Sequence, residues 1–435
     1  MQWLWLAAAS VWLVAAPSPT PVSAPKTAFE YAQAAREAHR RGDMAAFLRN
    51  SEEASRRRPG DVWMLYNLAC ARARNGQARA ALEALEGYAA HRAAADLEYD
   101  TDFDSIRGEP GYRDVLAKMA ELRSRRITSG AAAAFTIPEK GLVPEGVAHD
   151  SVTGAFFVSS IRQRKILRVG SDGRATEFVS PARDGLRSAT GMAVDVRRRT
   201  LWVASSALPH MNGFHKGDPP ASAVFEYDVD SGRLRGEHRP PDAGKPAAFD
   251  DLTVAPDGRV FVNDGQSPRV FTLAPGERAL EVFVESDAMR GTQGLAVAPD
   301  GKTLYASDYN GLVAIDLATR SVTPIAVPPN LALNGIDGLA YAPGRSLVAI
   351  QNGIEPARVI RLWLSEDGRG IRRSEILEMN HPAFAEPTLG VVVGERLYFT
   401  ANSQGGRFLD EKHPIPESEM QEAVVLSLPL SPAPP

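Results

Sequence analysis

The fold class expected from the sequence is mainly β, a six-bladed β-propeller preceded by a short α-helical repeat array. Three observations predict it. A strand–turn–strand unit recurs six times after residue 130, the stretch 27–127 is rich in Ala, Arg, Glu and Leu, and that stretch repeats itself at a spacing of 34 residues. With 435 residues, 44% of them hydrophobic and 23% charged, the chain can bury a large core and is not expected to be disordered. Forty-nine basic against 53 acidic residues leave a net charge of −4, which gives no electrostatic case for nucleic acid as a partner. The single cysteine, Cys70, excludes an internal disulfide framework and reads as a small buried hydrophobe.

The first element is an address. Trp3 to Ala16 is an apolar run too short for a comfortable membrane span and suited to the core of a signal peptide, with small residues after it. Residues 1–24 are therefore expected to direct export and to leave a secreted or periplasmic chain with no integral span; an uncleaved anchor is the alternative. The helical part follows at 27–127. Leu65, Leu68, Ala69, Gly76 and Ala81 repeat the places of Tyr31, Ala34, Ala35, Gly42 and Phe47 one unit earlier, with Leu85 filling the seam after them. Small residues sit where two helices cross closely, with larger apolar ones in the seam. The pattern resembles tetratricopeptide repeats, which implies stacked helical hairpins and a possible protein partner on them.

The propeller is expected over 131–430. Its six units open at Glu145, Thr190, Asp250, Gln293, Asp337 and Thr388, 43 to 60 residues apart, a spacing that suits blades of four strands. Asp257-Gly258 and Asp300-Gly301 are hairpin dipeptides between apolar runs. The sixth unit holds only three strands, while a strand at Ala132–Pro138 lacks a blade. Pairing the two ends would complete the sheet and protect its edge.

The six opening residues stand just before their inner strands and so are expected to ring the channel mouth. All are polar and three are carboxylates, although apolar residues follow in every copy. Such oxygen donors suit Ca²⁺ or another divalent cation; imidazole or thiolate would have suited zinc. A metal-free wet channel is the alternative. The residues Glu145-Gly146, Asp337-Gly338, Gln293-Gly294 and Asp250-Asp251 together resemble the regucalcin/gluconolactonase family of six-bladed, calcium-dependent lactonases. Gln293 stands where that family usually has Asn, and Asp250 where it often has Asn. The resemblance implies a metal held by Glu145, Asp250, Gln293 and Asp337, with Asp337 also managing the proton of the attacking water, and a lactone as the small-molecule substrate.

Other candidates lie nearby. Asp264, Asp308 and Asn352 end the second strands and belong near the rim, where they read as substrate contacts or as turn caps, and Thr190 and Thr388 complete the ring as substrate contacts. The long loop Ala207–Ala221 carries His210 and His215 and reads as a lid supplying a base or substrate ligand. His149, inside an inner strand, reads as a packing residue. Two functions stay open: a metal-dependent hydrolase of the lactonase type, and a non-catalytic propeller that holds a ligand while the helical repeats dock a protein.

Overall fold

The computed structural model describes residues 27–215, 217, 221–241, 247–289, 291–308, 311–408 and 416–430. The expected signal segment and residues 216 and 218–220 of the expected lid lie outside these. No helix among the described residues is long and apolar enough to cross a membrane.

Thr27 starts the helical part. Its hydroxyl accepts from the Glu30 N–H while the Glu30 carboxylate accepts from the Thr27 N–H, so two orphan donors are satisfied at once. Helix α1 (Ala28–Arg40) pairs with α2 (Met44–Arg57), and α3 (Val62–Arg74) pairs with α4 (Ala78–Ala90). The two hairpins begin 34 residues apart. Gly42 and Gly76 follow the first helix of each with φ of 75° and 72°, a conformation that costs glycine little. Asp43 and Asp61 cap α2 and α3. A 3₁₀ turn (Thr101–Ile106) leads to α5 (Pro110–Ser124), which starts on proline, a residue whose missing N–H is no loss there. Ala35, Ala69, Ala81, Leu85 and Phe103 form a fully buried seam.

The chain divides into two compact units, and the helical one is not contiguous in sequence. It runs to Arg125 and also takes in Pro329–Asn334 and Ile354–Pro356. Ala332 and Ile354 lie in its core, the Asn334 side chain accepts from the Val62 N–H at 3.1 Å, and the Ala94 N–H donates to the Glu355 carbonyl at 2.7 Å.

The second unit is six antiparallel sheets of four strands. Blade one is Pro144–Asp150, Ala155–Ser160, Lys165–Val169 and Ala175–Val179, and blade two is Ser188–Asp195, Thr200–Ser206, Ser222–Asp228 and Leu234–His238. Blade three is Phe249–Val254, Val260–Asp264, Arg269–Leu273 and Glu281–Glu285. Blade four is Leu295–Val297, Thr303–Asp308, Gly311–Asp316 and Val322–Pro324. Blade five is Ile336–Ala342, Ser346–Gln351, Arg358–Leu364 and Ile371–Met379. Blade six is Gly390–Val393, Arg396–Thr400 and Ala423–Pro429, closed on its outer edge by Ala132–Ile137. The ring thus closes by pairing its two ends, Ile137 opposite Ala423 and Ala132 opposite Ser427. The core lies between blades. Phe249, Phe271 and Val262 of blade three pack on Trp202 and Val224 of blade two, and blades six and one share a cluster of Ile137, Val147, Val158 and Val425.

One expectation is corrected in detail. Glu145, Thr190, Asp250 and Asp337 lie within their inner strands, not ahead of them; only Gln293 and Thr388 precede theirs. In those four blades the ladder register shifts at that point, between Pro144 and Val147, Ala189 and Met192, Phe249 and Leu252, and Ile336 and Leu339. A bulge of this kind bends the strand and re-aims a side chain, which lets a residue inside a ladder leave the sheet face.

Candidate functional site: a desolvated carboxylate cluster

Neighbouring blades touch at the bulges. A Cβ on Gly294 would stand 2.5 Å from the Asp337 carbonyl, and one on Gly338 2.6 Å from the Thr388 carbonyl. Only glycine allows this approach. Blade three carries Asp251 in the glycine's place, and its carboxylate accepts from Leu252 N–H at 2.8 Å and, across to blade four, from Leu295 N–H at 2.9 Å. Second strands lock the ring further. Ser159 Oγ accepts from Gly146 N–H at 2.7 Å and donates to the Thr190 carbonyl at 2.8 Å. Asn263 accepts from Asp251 N–H and donates to the Gln293 carbonyl. Thr388 Oγ1 and Thr400 Oγ1 both donate to the Glu145 carbonyl, at 2.9 and 3.0 Å.

This frame brings together Glu145, Asp250 and Asp337, from blades one, three and five. Carboxylates on alternate blades can meet only across the ring, and Asp337 and Asp250 both act on Glu145. Burial, reinforced by these like charges, holds Glu145 and Asp250 well above the usual carboxylate range. Burial lifts Asp337 to about 6, opposed by the amide of Asn352, which donates to its Oδ2. A fourth carboxylate joins them. Glu386, just ahead of Thr388, is raised to about 7 by burial and by Asp337, although Gly406 N–H donates to it at 2.9 Å. Its φ of 72° is unusual for a side-chain-bearing residue, and such strain persists only where the surroundings enforce it. Asp251 is likewise raised to about 7, chiefly by burial. Among the described residues no lysine or arginine acts on Glu145, Asp250, Asp337 or Glu386.

The other candidates divide. Gln293 is half-buried, its amide nitrogen 3.6 Å from the point where a Cβ of Gly265 would stand. Thr190 and Thr388 are fully buried with hydroxyls spent on backbone carbonyls; Thr190 donates to Ala204 of its own blade and Phe249 of the next, at 3.2 and 3.3 Å. Asp264 is buried and engaged with Arg269 at 2.8 Å, Ser267 and the Ala248 N–H, which pins the turn after its strand. Asp308 is buried at the end of its strand. His149 packs against Phe156 with tilted rings whose centroids lie 4.6 Å apart.

The two loop histidines separate sharply. His215 is exposed. Both ring nitrogens of His210 are buried with no hydrogen-bond partner among the described residues, and burial lowers its pKa to about 4. Its Nε2 lies 3.6 Å and the Glu386 Oε2 3.5 Å from the same point over Gly405. The described part of the loop is packed rather than loose. Leu208 lies against Val143, Ile161 and Met420, and Asn212 N–H donates to the Arg162 carbonyl at 2.8 Å.

Sequence reasoning missed Glu386, whose Ala-Glu-Pro setting carries only a turn signal. It also missed a second acidic group. Cys70, Asp100 and Asp102 bring one ligand atom each within 4.8 Å of one another, which no three of the ring carboxylates do. That group is internally satisfied, with Tyr66 donating to Asp100 at 2.6 Å and His39 3.0 Å from Asp102.

No family model matches the chain, and no curated protein does. Its structural neighbours include propellers of the gluconolactonase and regucalcin type. The chain is similar to a gluconolactonase from Xanthomonas campestris, 19% identical over 69% of this chain and 89% of that one, with a TM-score of 0.47. It is similar to a calcium-binding protein, regucalcin, from Agrobacterium tumefaciens, 16% identical over 68% and 93%, TM-score 0.47. A third likeness is virginiamycin B lyase from Staphylococcus aureus, 12% identical over 69% and 99%, TM-score 0.44. The activities in these names belong to those proteins.

Proposed function

We propose that the chain is an exported, metal-dependent hydrolase of the lactonase type. The observation that carries this reading is the meeting of Glu145, Asp250, Asp337 and Glu386 in a desolvated setting, with no lysine or arginine among the described residues acting on them. Four carboxylates that repel one another, Glu145 buried and Asp250, Asp337 and Glu386 half-buried, fit a hard divalent cation such as Ca²⁺, whose ligands are oxygens in flexible number. Glu145, Asp250, Asp337 and the Gln293 amide would hold it, with Glu386 beside them. Bound there, the ion supplies Lewis acidity toward a carbonyl oxygen. The remaining work falls to the chain's own groups. Asn352 orients the Asp337 carboxylate, which takes the proton of the attacking water. His210, desolvated and neutral with both nitrogens free, is suited to hold a substrate hydroxyl or pass a proton to the ring oxygen; exposed His215 is not.

The second reading, a ligand-holding propeller without chemistry, draws on Asp250 and Gln293 standing in place of the usual asparagines. An extra charge at Asp250 would blunt the ion's Lewis acidity while keeping its binding. Under either reading residues 1–24 direct export, 27–127 dock a protein partner through tetratricopeptide-like hairpins, and 131–430 form the propeller.

The deciding experiment is metal analysis of the purified chain followed by a lactone-panel assay with and without chelator. Asp337→Ala is expected to abolish hydrolysis and metal binding together. His210→Ala should lower kcat at least about tenfold with metal retained, and His215→Ala should leave both unchanged. A metal-loaded chain that opens no lactone would leave the binding reading standing.

A further inference from the structure

On the channel-mouth side of blade two, Arg187 and Arg164 have no carboxylate paired to them among the described residues. Arg187 lies three residues ahead of Thr190 and is half-buried. Its backbone N–H donates to Ser205 Oγ at 3.0 Å, yet its guanidinium has no hydrogen-bond or ion-pair partner among the described residues. Beside it, Arg164 donates only to backbone carbonyls, Leu186 at 3.1 Å and Asn212 at 3.5 Å. Each guanidinium feels the other, and burial with that repulsion holds Arg164 below its usual range. A small open hollow of about 20 Å³ is lined here by Arg187, Arg239, Glu237, Ser205, Ser222 and Phe225. Glu237 is neutralised by Arg239, 2.6 Å away, so the surplus charge in and beside the hollow is positive. Ser205 Oγ accepts one bond and has its own proton to give. Ordinary surface arginines find water or a carboxylate; two half-buried like charges side by side repel unless something anionic joins them.

We propose that this hollow is a subsite for a small oxyanion, a phosphate or a carboxylate, gripped by the Arg187 fork with Ser205 and backed by Arg164. Guanidinium matches such groups in a planar, two-pronged geometry that ammonium cannot. The hollow lies on the side where the inner strands begin, and Arg164 touches the loop that carries His210. If that site opens lactones, a clause that rests on the proposed function above, its substrate carries an acid group held on blade two.

The test uses the full chain without added metal, titrated calorimetrically with inorganic phosphate and, separately, with acetate. Saturable binding of at least one of them is expected, and which binds names the acid group. Arg187→Gln should weaken it about tenfold or more, Arg187→Lys less, and Asp337→Asn not at all. An unpartnered side chain holds nothing together, so the melting temperature of Arg187→Gln should stay within a degree of native; Arg187→Lys carries the test if it does not. No saturable binding of either anion, or equal affinity in Arg187→Gln, overturns the subsite. Since no turnover is measured, this result is independent of whether any lactone is hydrolysed.

Discussion

Glu386 shows how much one side chain can alter a site. Without a cation it adds a fourth negative charge to a desolvated cluster, so Glu386→Gln should stabilise the metal-free chain by about 1–2 kcal/mol. Calorimetry in chelator should show a melting temperature raised by a few degrees, and the stabilisation by added calcium should shrink. An unchanged metal-free melting curve would mean that Glu386 already carries a proton at the pH of the experiment. Glu145 and Asp337 were legible in the sequence because each is a lone polar residue ahead of an apolar strand, repeated in register with four others. Glu386 was not, because it belongs to no repeat and reaches the ring only through a backbone conformation that sequence does not announce. Thr190 and Thr388 were legible as positions and misleading as contacts. Their hydroxyls face the next blade, and only the coordinates say which way a buried threonine turns.

At the scale of the strand, the bulge and its glycine are the working unit. Gly294→Ala puts a methyl 2.5 Å from the Asp337 carbonyl and 2.8 Å from Leu339, with backbone on both contacts. It should destabilise the chain by about 2–4 kcal/mol, read as a lower denaturation midpoint, and disturb the metal response because Asp337 must move. Gly87, inside α4 with open space where a Cβ would go, is the control: Gly87→Ala should gain about 0.5–1 kcal/mol. The strand units, their hairpin dipeptides and the 34-residue helical spacing were all readable, since alternation and turn chemistry are local. The bulges were not. A one-residue register shift leaves no mark in composition, and it moved four of the six ring residues from ahead of the strand to inside it.

The whole molecule should record the cluster in its pH dependence. Asp251 and Glu386, each near 7 when folded, and Asp337, near 6, bind protons in the native state that the unfolded chain, with ordinary carboxyls, has released. Their stabilising contribution is complete below the unfolded pKa, near 4, and is lost as pH rises through 6 to 7. His210 works in the opposite sense between about 4 and 6.5, so the clean window lies above pH 6.5. Thermal melts in chelator are expected to fall from pH 6.5 to 8, whereas the calcium-loaded chain should hold its stability and the calcium-induced shift should grow. A calcium shift independent of pH would disconnect these carboxylates from the ion. The closure of the ring was visible in advance from a blade one strand short and a strand without a blade. The inclusion of Pro329–Asn334 and Ile354–Pro356 in the helical unit was not, because nothing in a loop's composition says whose core it completes.

Ala132–Ile137 has a consequence for how the protein is made. Its partner, Ala423–Pro429, lies at the far end of the propeller sequence and is made, at translation speeds, roughly 15–60 s later. Through that interval blade one exists while the sheet it packs against does not, and a strand with an unpaired edge waits for a neighbour. The early sequence suits the delay. Ala132, Ala133 and Ala134 are exposed and offer little apolar surface to a wrong partner. Only when the last strand arrives does the strand gain its pairing, and with it the ring carboxylates of blades one, three and five gain the closed circle that holds them face to face.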